Sequence, residues 1–441
     1  MDADATRSVV RRAVGRLARE EGGHVLALLA ARFGDLDLAD ESVQDALIRA
    51  VETWPADGVP RDPPAWLYRV AHHRAIDRLR RAQTAARRLE AAAPELLREA
   101  VVSGPGEPPE EVPIVEHTPV GDEQLRLMLL CCHPALDRDA QIALTLRLVG
   151  GLTTDEIAAA FLVPEATLAQ RIVRAKRKIR GARIPLTIPA DLSDRVDVLL
   201  TVLYLIFNEG YLARGAGAAG GEAAETIRVD LVDEAIRLTA AAADLLGGDP
   251  EAGGLLALEL YHRARMATRL DAAGEIVLLE QQDRTRWDLA TIAQADRVMQ
   301  EALGGAALDG AAPPGPYRLQ ALIAAAHAHA RTAEETDWTG IVRLYDLLLR
   351  RMPTPVVALN RAVAIAMADG PRAGLAALDG IPGLDGYHLL HATRGELLLR
   401  AGDPVAASAA FERAVPLTAN VAERRHLERR LAEARDRTRS A

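Results

Sequence analysis

The 441-residue chain is poor in aromatic rings, 3% of its residues, and has two cysteines. With so few rings the interior has to be filled mainly by Ala, Leu and Val, a composition that suits closely packed helices. The cysteines are neighbours, Cys131 and Cys132, inside the apolar run LRLMLLCCHPAL. Adjacent helical positions exclude a normal disulfide between them and suit a reducing cytoplasm. His133 follows, but the cluster lacks the spacing of a four-ligand zinc site, so packing is its expected role and no metal is expected. His327 and His329 stand two apart on a helix and point in different directions, and no nucleophile is paired with a base, so neither catalysis nor a cofactor is expected. Charged residues interrupt every apolar run, which argues against a membrane span, and no signal peptide precedes Val9; a cytoplasmic protein is expected.

Charge is present but unevenly placed. The formal net charge is −9, yet two segments are strongly basic. Between Phe161 and Arg183 seven basic residues face one acid, Glu165, and between Trp66 and Arg88 seven arginines face Asp77. The first of these segments closes a helix-turn-helix pattern running from Gly151 to Arg180. Thr153 and Thr154 cap a first helix with Asp155 and Glu156 in its opening turn, where carboxylates suit the positive end of the dipole. Ile157, Ala160 and Phe161 give it a buried face, and Pro164 suits the first position of a second helix. That helix has Leu168, Ile172, Ala175 and Ile179 inside and Gln170, Arg171, Arg174, Lys176, Arg177, Lys178 and Arg180 outside. Docked in a major groove, its early residues Glu165, Thr167, Ala169, Gln170 and Arg171 face base edges, with Val173 and Arg174 one turn on; the later basic residues hold phosphates. A solvated cationic face is the competing reading.

In the upstream basic segment Leu67, Val70, Ala71, Ile76 and Leu79 make an apolar stripe, with Arg69, Arg74, Arg78 and Arg81 mostly off it. Cations beside Trp66, Tyr68 and His73 match the needs of single-stranded nucleic acid, although Trp66 by itself reads more readily as core. The preceding stretch Leu38 to Pro55 is an amphipathic helix with Val43, Ala46, Leu47, Ala50 and Val51 inward. Its acidic and polar outer face, with Asp40, Glu41, Gln44, Asp45 and Glu52, would repel DNA and is expected to meet solvent or a protein.

These runs resemble regions 2 and 4 of the extracytoplasmic-function sigma factors of RNA polymerase. DESVQDALIRAVETW with PAWLYRVAHHRAIDRLRR is similar to region 2, and the stretch from Asp122 to Arg180 to region 4, in family order and at family spacing. The resemblance implies docking of Asp40, Glu41, Gln44, Asp45 and Arg49 on core RNA polymerase, at the clamp coiled coil of the β′ subunit, with further contacts to β. It implies that Arg61 and the loop from Gly58 to Pro64, with Trp66, Arg69, His73, Arg74, Arg78 and Arg81, receive the melted −10 strand of promoter DNA. Family members often carry Asn at the place of His73. It also implies that Glu165, Thr167, Gln170, Arg171, Val173, Arg174, Arg177 and Lys178 serve the −35 element. Val102 to Val120, rich in Pro and Glu, reads as an extended linker; in the family it threads toward the polymerase active-site channel, where Glu107, Glu110 and Glu111 would mimic RNA phosphates, a plain acidic spacer being the alternative.

A minimal two-region factor would end near Arg183. The remainder carries a 33-residue step: Trp338, Pro371 and Pro404 each open a helix after a turn, and Tyr345, Leu378 and Phe411 keep the interval, as do the small or apolar pairs Ala325/Ala358 and Ala362/Gly395. About three helix-turn-helix units and a polar terminal helix, Val421 to Arg435, resemble tetratricopeptide repeats, whose aromatic-glycine consensus is degenerate here. Asn360 and Arg361 are candidates to line a groove for a protein partner or an intramolecular contact; pure packing is the alternative. Gly215, Gly217 and Gly220 spell G-x-G-x-x-G, but a helix (Val196 to Tyr211) precedes them rather than a strand, so a helix connection is expected, not a nucleotide site. Asn208 and Glu209, in an Asn-Glu-Gly-Tyr run similar to one in sigma factors with long helical extensions, form a candidate polar site.

The expected fold is all-α: residues 9–90 as region 2, 91–121 as linker, 122–183 as region 4, 184–310 as a helical extension and 311–441 as repeats. The expected function is promoter-specific initiation regulated by the extension. The alternative is a helix-turn-helix regulator that senses a ligand or protein without sigma activity.

Overall fold

Aspartates placed one residue ahead of apolar periods start many of the helices. Asp35 accepts from the N–H groups of Asp37 and Leu38, Asp137 from Ala140, Asp249 from Glu251 and Ala252, and Asp337 and Asp403 from the residues three further on. Each carboxylate satisfies donors that a helix leaves unpaired in its first turn. The computed structural model describes residues 3–92, 120–161, 163–182, 191–212, 228–272, 275–304, 314–418 and 421–440. Among them the regular elements are nineteen α-helices with short 3-10 turns, and a single antiparallel bridge joins Leu270 and Ile276. The fold is all-α. Residues 102–119 of the Pro- and Glu-rich segment and the glycine run at 215–220 lie outside the described residues.

The chain divides into two units, Met1–Val202 and Leu203–Ala441. In the first, α1 (Ala3–Glu20), α2 (Gly22–Phe33), α3 (Leu36–Asp57) and α4 (Pro63–Ala92) pack around Leu26, Leu29, Val43, Ala46, Trp54 and Leu67. The helices α5 (Val120–Cys131), α6 (Arg138–Leu148), α7 (Thr154–Phe161) and α8 (Glu165–Gly181) surround Leu127, Met128, Leu144, Ile157, Leu168 and Ile172. These two groups meet backbone to backbone. A Cβ at Gly23 would stand 2.7 Å from the Val149 carbonyl oxygen, and one at Gly151, whose φ is +63°, would stand 2.7 Å from that of Arg19. Only glycine accepts both the close approach and the left-handed conformation. α9 (Ser193–Leu212) begins in this unit, where Arg195 donates to the Leu129 carbonyl at 2.6 Å.

In α3 the inward line is Val43, Ala46, Ala50 and Trp54, all buried. Val51, expected inside, is 42% exposed, and Ile48 is 58% exposed. Successive inward positions three or four apart leave no room for Val51, which falls about 100° round the helix from Ala50.

The second unit continues with α10 (Val229–Leu245), α11 (Pro250–Ala264), α12 (Leu289–Gly304) and α13 (Pro316–His329). α11 and α13 are in close contact: a Cβ at Gly254 would meet the Arg318 backbone at 2.7 Å, and Glu251 accepts from the N–H groups of Gly315 and Tyr317 and from Arg318. There follow α14 (Trp338–Arg351), α15 (Pro355–Asp369), α16 (Pro371–Asp379), α17 (His388–Arg400), α18 (Pro404–Ala414) and α19 (Val421–Ser440). Trp338, Pro371 and Pro404 head α14, α16 and α18, as the 33-residue step predicts. Leu378 and Phe411 are buried at the equivalent place, and Gly395 makes room for the Phe411 ring, which a Cβ there would meet at 2.7 Å.

Candidate nucleic-acid interface

The second helix of the expected helix-turn-helix is α8, and its stripe Leu168, Ile172, Ala175 and Ile179 is buried as the period predicts. Its N-cap is Pro164, one position earlier than expected, and the Pro164 carbonyl receives the N–H groups of Thr167 and Leu168. The first helix, α7, opens with a reciprocal pair: the Thr153 hydroxyl accepts from the Glu156 N–H, and the Glu156 carboxylate accepts from the Thr153 N–H at 2.8 Å. Glu165, Thr167, Gln170, Val173, Arg174, Arg177 and Lys178 are all exposed on α8, with Val173 at 53%. Arg174 reaches Gln170 at 3.5 Å. Arg171 is different: it is half-buried, 3.0 Å from Asp139 and above the Phe161 ring, so it braces α8 against α6.

The far end of α8 turns toward α3. Lys176 pairs with Asp40 and Arg180 with Asp37. Both partners of the Lys176–Asp40 pair are largely covered, while Arg180 is 65% exposed. Asp45 and Glu41 are held too, both by Arg78 of α4. The acidic face thus meets basic side chains of its own chain where solvent or another protein was expected, and Arg78, expected on the nucleic-acid face, is turned into α3. Gln44 is exposed and donates to Asp40 at 2.9 Å; Arg49 is exposed beside Glu52. What α3 leaves open is a mixed strip of Gln44, Ile48, Val51 and Glu52. Val51 was missed because its apolar character assigned it to the core, and Ile48 was assigned to neither face.

On α4, Arg69, His73 and Arg81 are exposed and Arg74 half-exposed, and Arg61 is exposed in the preceding loop, where Asp62 caps the helix by accepting from Ala65. Trp66 leans edge-on against buried Trp54, with ring centroids 5.2 Å apart, and belongs to the margin of the core. Tyr68 stacks on His72 at 5.8 Å, and His72 in turn lies 5.6 Å from Phe33 and 6.1 Å from His73. The sequence reading passed over His72. Burial, then Arg32 and His73, lower its pKa, so the neutral ring extends a row of flat surfaces beside the exposed arginines. Such a row offers stacking for bases and cations for their phosphates.

Elsewhere the candidates disperse. Asn208 is half-buried and Glu209 buried in α9. Arg361 pairs with Asp346 at 2.6 Å, whereas Asn360 lines a cavity of about 460 Å³ in the second unit. His327 also faces that cavity and lies against Trp338, while His329 is directed to Asp296 at 2.9 Å. Cys131 and Cys132 are buried; burial pushes the Cys132 thiol up to about 12, its Sγ standing 3.9 Å from the Thr145 hydroxyl.

Residues 17–85 match the family model for sigma-70 region 2, and residues 126–179 the one for sigma-70 region 4. Residues 195–303 match a family of unknown function, DUF6596, which spans α9 to α12. An uncharacterized protein of Rhizobium meliloti (strain 1021) is 41% identical over 419 residues, covering 92% of this chain and 94% of its own length. No solved structure matches. No described helix is long and apolar enough to cross a membrane.

Proposed function

Because the chain belongs to the sigma-70 family, as a sigma factor of the extracytoplasmic-function type with a long helical extension, and so has a sigma-like role in transcription initiation, we propose that it directs RNA polymerase to specific promoters under control of that extension. The observation that carries the reading is the separation of surfaces in the first unit. One helix, α8, exposes Gln170, Val173, Arg174, Arg177 and Lys178 toward a duplex. Another, α4, exposes Arg69 and His73, with Arg74 half-exposed, beside the Tyr68–His72 stack, which suits an unpaired strand. The third, α3, keeps a mixed strip open for a protein, with Ile48 and Val51 as its apolar part.

On this reading Ile48 and Val51 anchor the polymerase contact, with Gln44, Asp45 and Arg49 around them. The pairs Lys176–Asp40 and Arg180–Asp37 join the duplex-facing helix to the acidic one, so docking on polymerase and spreading over promoter DNA call for their release. The Arg180–Asp37 pair, with Arg180 65% exposed, contributes little to that hold, and the covered Lys176–Asp40 pair carries more of it. The extension, Leu203 onward, acts as the control element through a protein partner or an intramolecular contact.

The test is capture of core polymerase by the full chain and by Ile48→Glu/Val51→Glu, with helicity as the folding control. Capture should be lost, since an unpaired charge buried at an interface costs several kcal/mol. Undiminished capture by a folded variant would reject the α3 surface. Promoter-dependent transcription by residues 1–202 against the full chain tests the extension: a strong change, more often a fall, is expected, and equal transcription would remove its regulatory role.

A further inference from the structure

The 460 Å³ cavity of the second unit is walled by α13, α14, α15 and α17 and bounded by α19 and the irregular segment between Ile276 and Arg284. Its size lies within the range of small-molecule sites, and most of its wall is hydrocarbon and ring: Trp338, Ile341, Tyr345, Val363, Met367 and Leu389. Three arginines also line it, Arg269, Arg284 and Arg400, together with Glu280, Glu396 and Glu423.

Arg269 and Arg284 are unusual in what they bind. Arg284 donates to the carbonyl oxygens of His327 and Ala330, each at 2.8 Å, and to the Thr336 hydroxyl at 3.3 Å, and stands over the Trp287 ring. Arg269 donates to the Tyr211 carbonyl and lies 3.7 Å from the centroid of the Tyr211 ring. Arg265 stands 5.6 Å from the same ring and contacts His262 at 3.2 Å. Among the described residues none of the three has a carboxylate within ion-pair distance. The other charged lining groups are paired: Arg400 with Glu280, and Glu396 with both arms of Arg430. Glu423, whose charge reaches Arg269, is turned to His388 and Thr418.

The carboxylates that act on these cations do so from beyond ion-pair distance, Glu423 on Arg269 and Glu334 on Arg284. Burial lowers the pKa of Arg269 and of Arg284, and the histidines beside them are neutral: burial, then Arg265 and Arg284, lower His327 to about 4, and His262 shifts the same way. The Nδ1 of His327 is closed off from solvent without a hydrogen-bond partner. A half-buried cation whose hydrogen bonds go to neutral groups recovers only part of its desolvation cost, and a bound anion offsets more of it.

We propose that this cavity is a binding site for an amphiphilic organic acid, with a single anionic head against Arg269 and Arg284 and an apolar body along Trp338, Tyr345, Val363 and Met367. The site is independent of what the extension does to transcription, and binding reads it without polymerase or DNA.

The experiment titrates the full chain with two fluorescent probes that share a ring system. Anilinonaphthalene sulfonate carries one anion, and N-phenylnaphthylamine carries none. One saturable site is expected for the sulfonate, with affinity at least about tenfold above that of the neutral probe. Ala364→Trp, which fills the cavity, should abolish both. Arg269→Met should remove the preference and leave the neutral probe where it was. The comparison of the two probes on the unaltered protein stands even where a variant fails to fold. Equal affinity for the two probes would overturn the anion site, and sulfonate binding untouched by folded Ala364→Trp would place the probe elsewhere and overturn the cavity.

Discussion

In the first unit charge meets opposite charge near the surface; inside the second, three guanidinium groups meet carbonyl oxygens, a hydroxyl, an imidazole and rings. Arg78, Lys176, Arg180 and Arg171 all rest on carboxylates of neighbouring helices, whereas Arg265, Arg269 and Arg284 do not. The difference teaches where each unit stores its readiness to bind. A solvent-washed ion pair is worth about 1 kcal/mol or less and exchanges readily for a phosphate or another protein's side chain. A half-buried guanidinium held by neutral groups has given up part of its hydration without gaining a counter-charge close by, which favours an anion there.

The largest expected effect tests whether the close packing of the first unit is as specific as it looks. Gly151→Val adds a branched side chain at φ +63° and 2.7 Å from the Arg19 carbonyl oxygen. Left-handed strain and overpacking together cost about 3 kcal/mol or more. Hydrogen exchange should quicken in α1 and α6 and stay unchanged in α14 to α19; a uniform change would erase the distinction between the units.

Acid should find the second unit first. The folded pKa of His327 is lowered to about 4 from 6.5, so its contribution is complete above pH 6.5 and is lost as pH falls toward 4, amounting to about 3 kcal/mol. His262 acts in the same direction. Exchange protection across α13 and α14 should fall over that window, and His327→Gln should flatten the slope. Protection that stays level from pH 6.5 to 4 would show that the ring is not held neutral.

Duplex binding should separate the arginines by place rather than by charge. Arg174→Ala is expected to weaken binding to a −35 duplex by about 1–3 kcal/mol if it reads a base edge, and Arg435→Ala, an equal loss of charge on α19, by nothing measurable. Equal losses would reduce the interface to net charge. The smallest effect is the coupling between helices α3 and α8. A double-mutant cycle on Lys176 and Asp40 should give about 1 kcal/mol, and one on Arg180 and Asp37 close to zero because Arg180 is 65% exposed. The reverse order would mean that exposure does not set the strength of these pairs.

How much of this was legible depended on whether a period carried it. The α8 stripe and the 33-residue step were readable because each repeats a geometric interval along the chain. The exposed candidates on α8 followed from the same phase. Val51 was misplaced because a run of apolar residues conceals which of two adjacent lines turns inward until Trp54 takes one of them. Arg78 and Lys176 were read as nucleic-acid ligands because the carboxylates that hold them, Asp45 and Asp40, lie on another helix, and their meeting is a matter of packing register. Arg269 and Arg284 carried no signal at all. They sit fifteen positions apart around irregular chain, and what marks them, a missing counter-charge, is a property of the surroundings and not of the sequence near them.

The chain has fifty-one arginines and two lysines, and both lysines lie in α8. Lys176 is covered and tied to Asp40, whereas Lys178, two residues on, is exposed. Guanidinium groups are inert to mild acylating reagents, so the primary amines on side chains amount to one shielded and one open position in a single helix. The ratio of their modification is therefore an internally calibrated gauge of how often α8 swings away from α3. Mass spectrometry reads it from the acylation of these two amines, with no substitution in the chain.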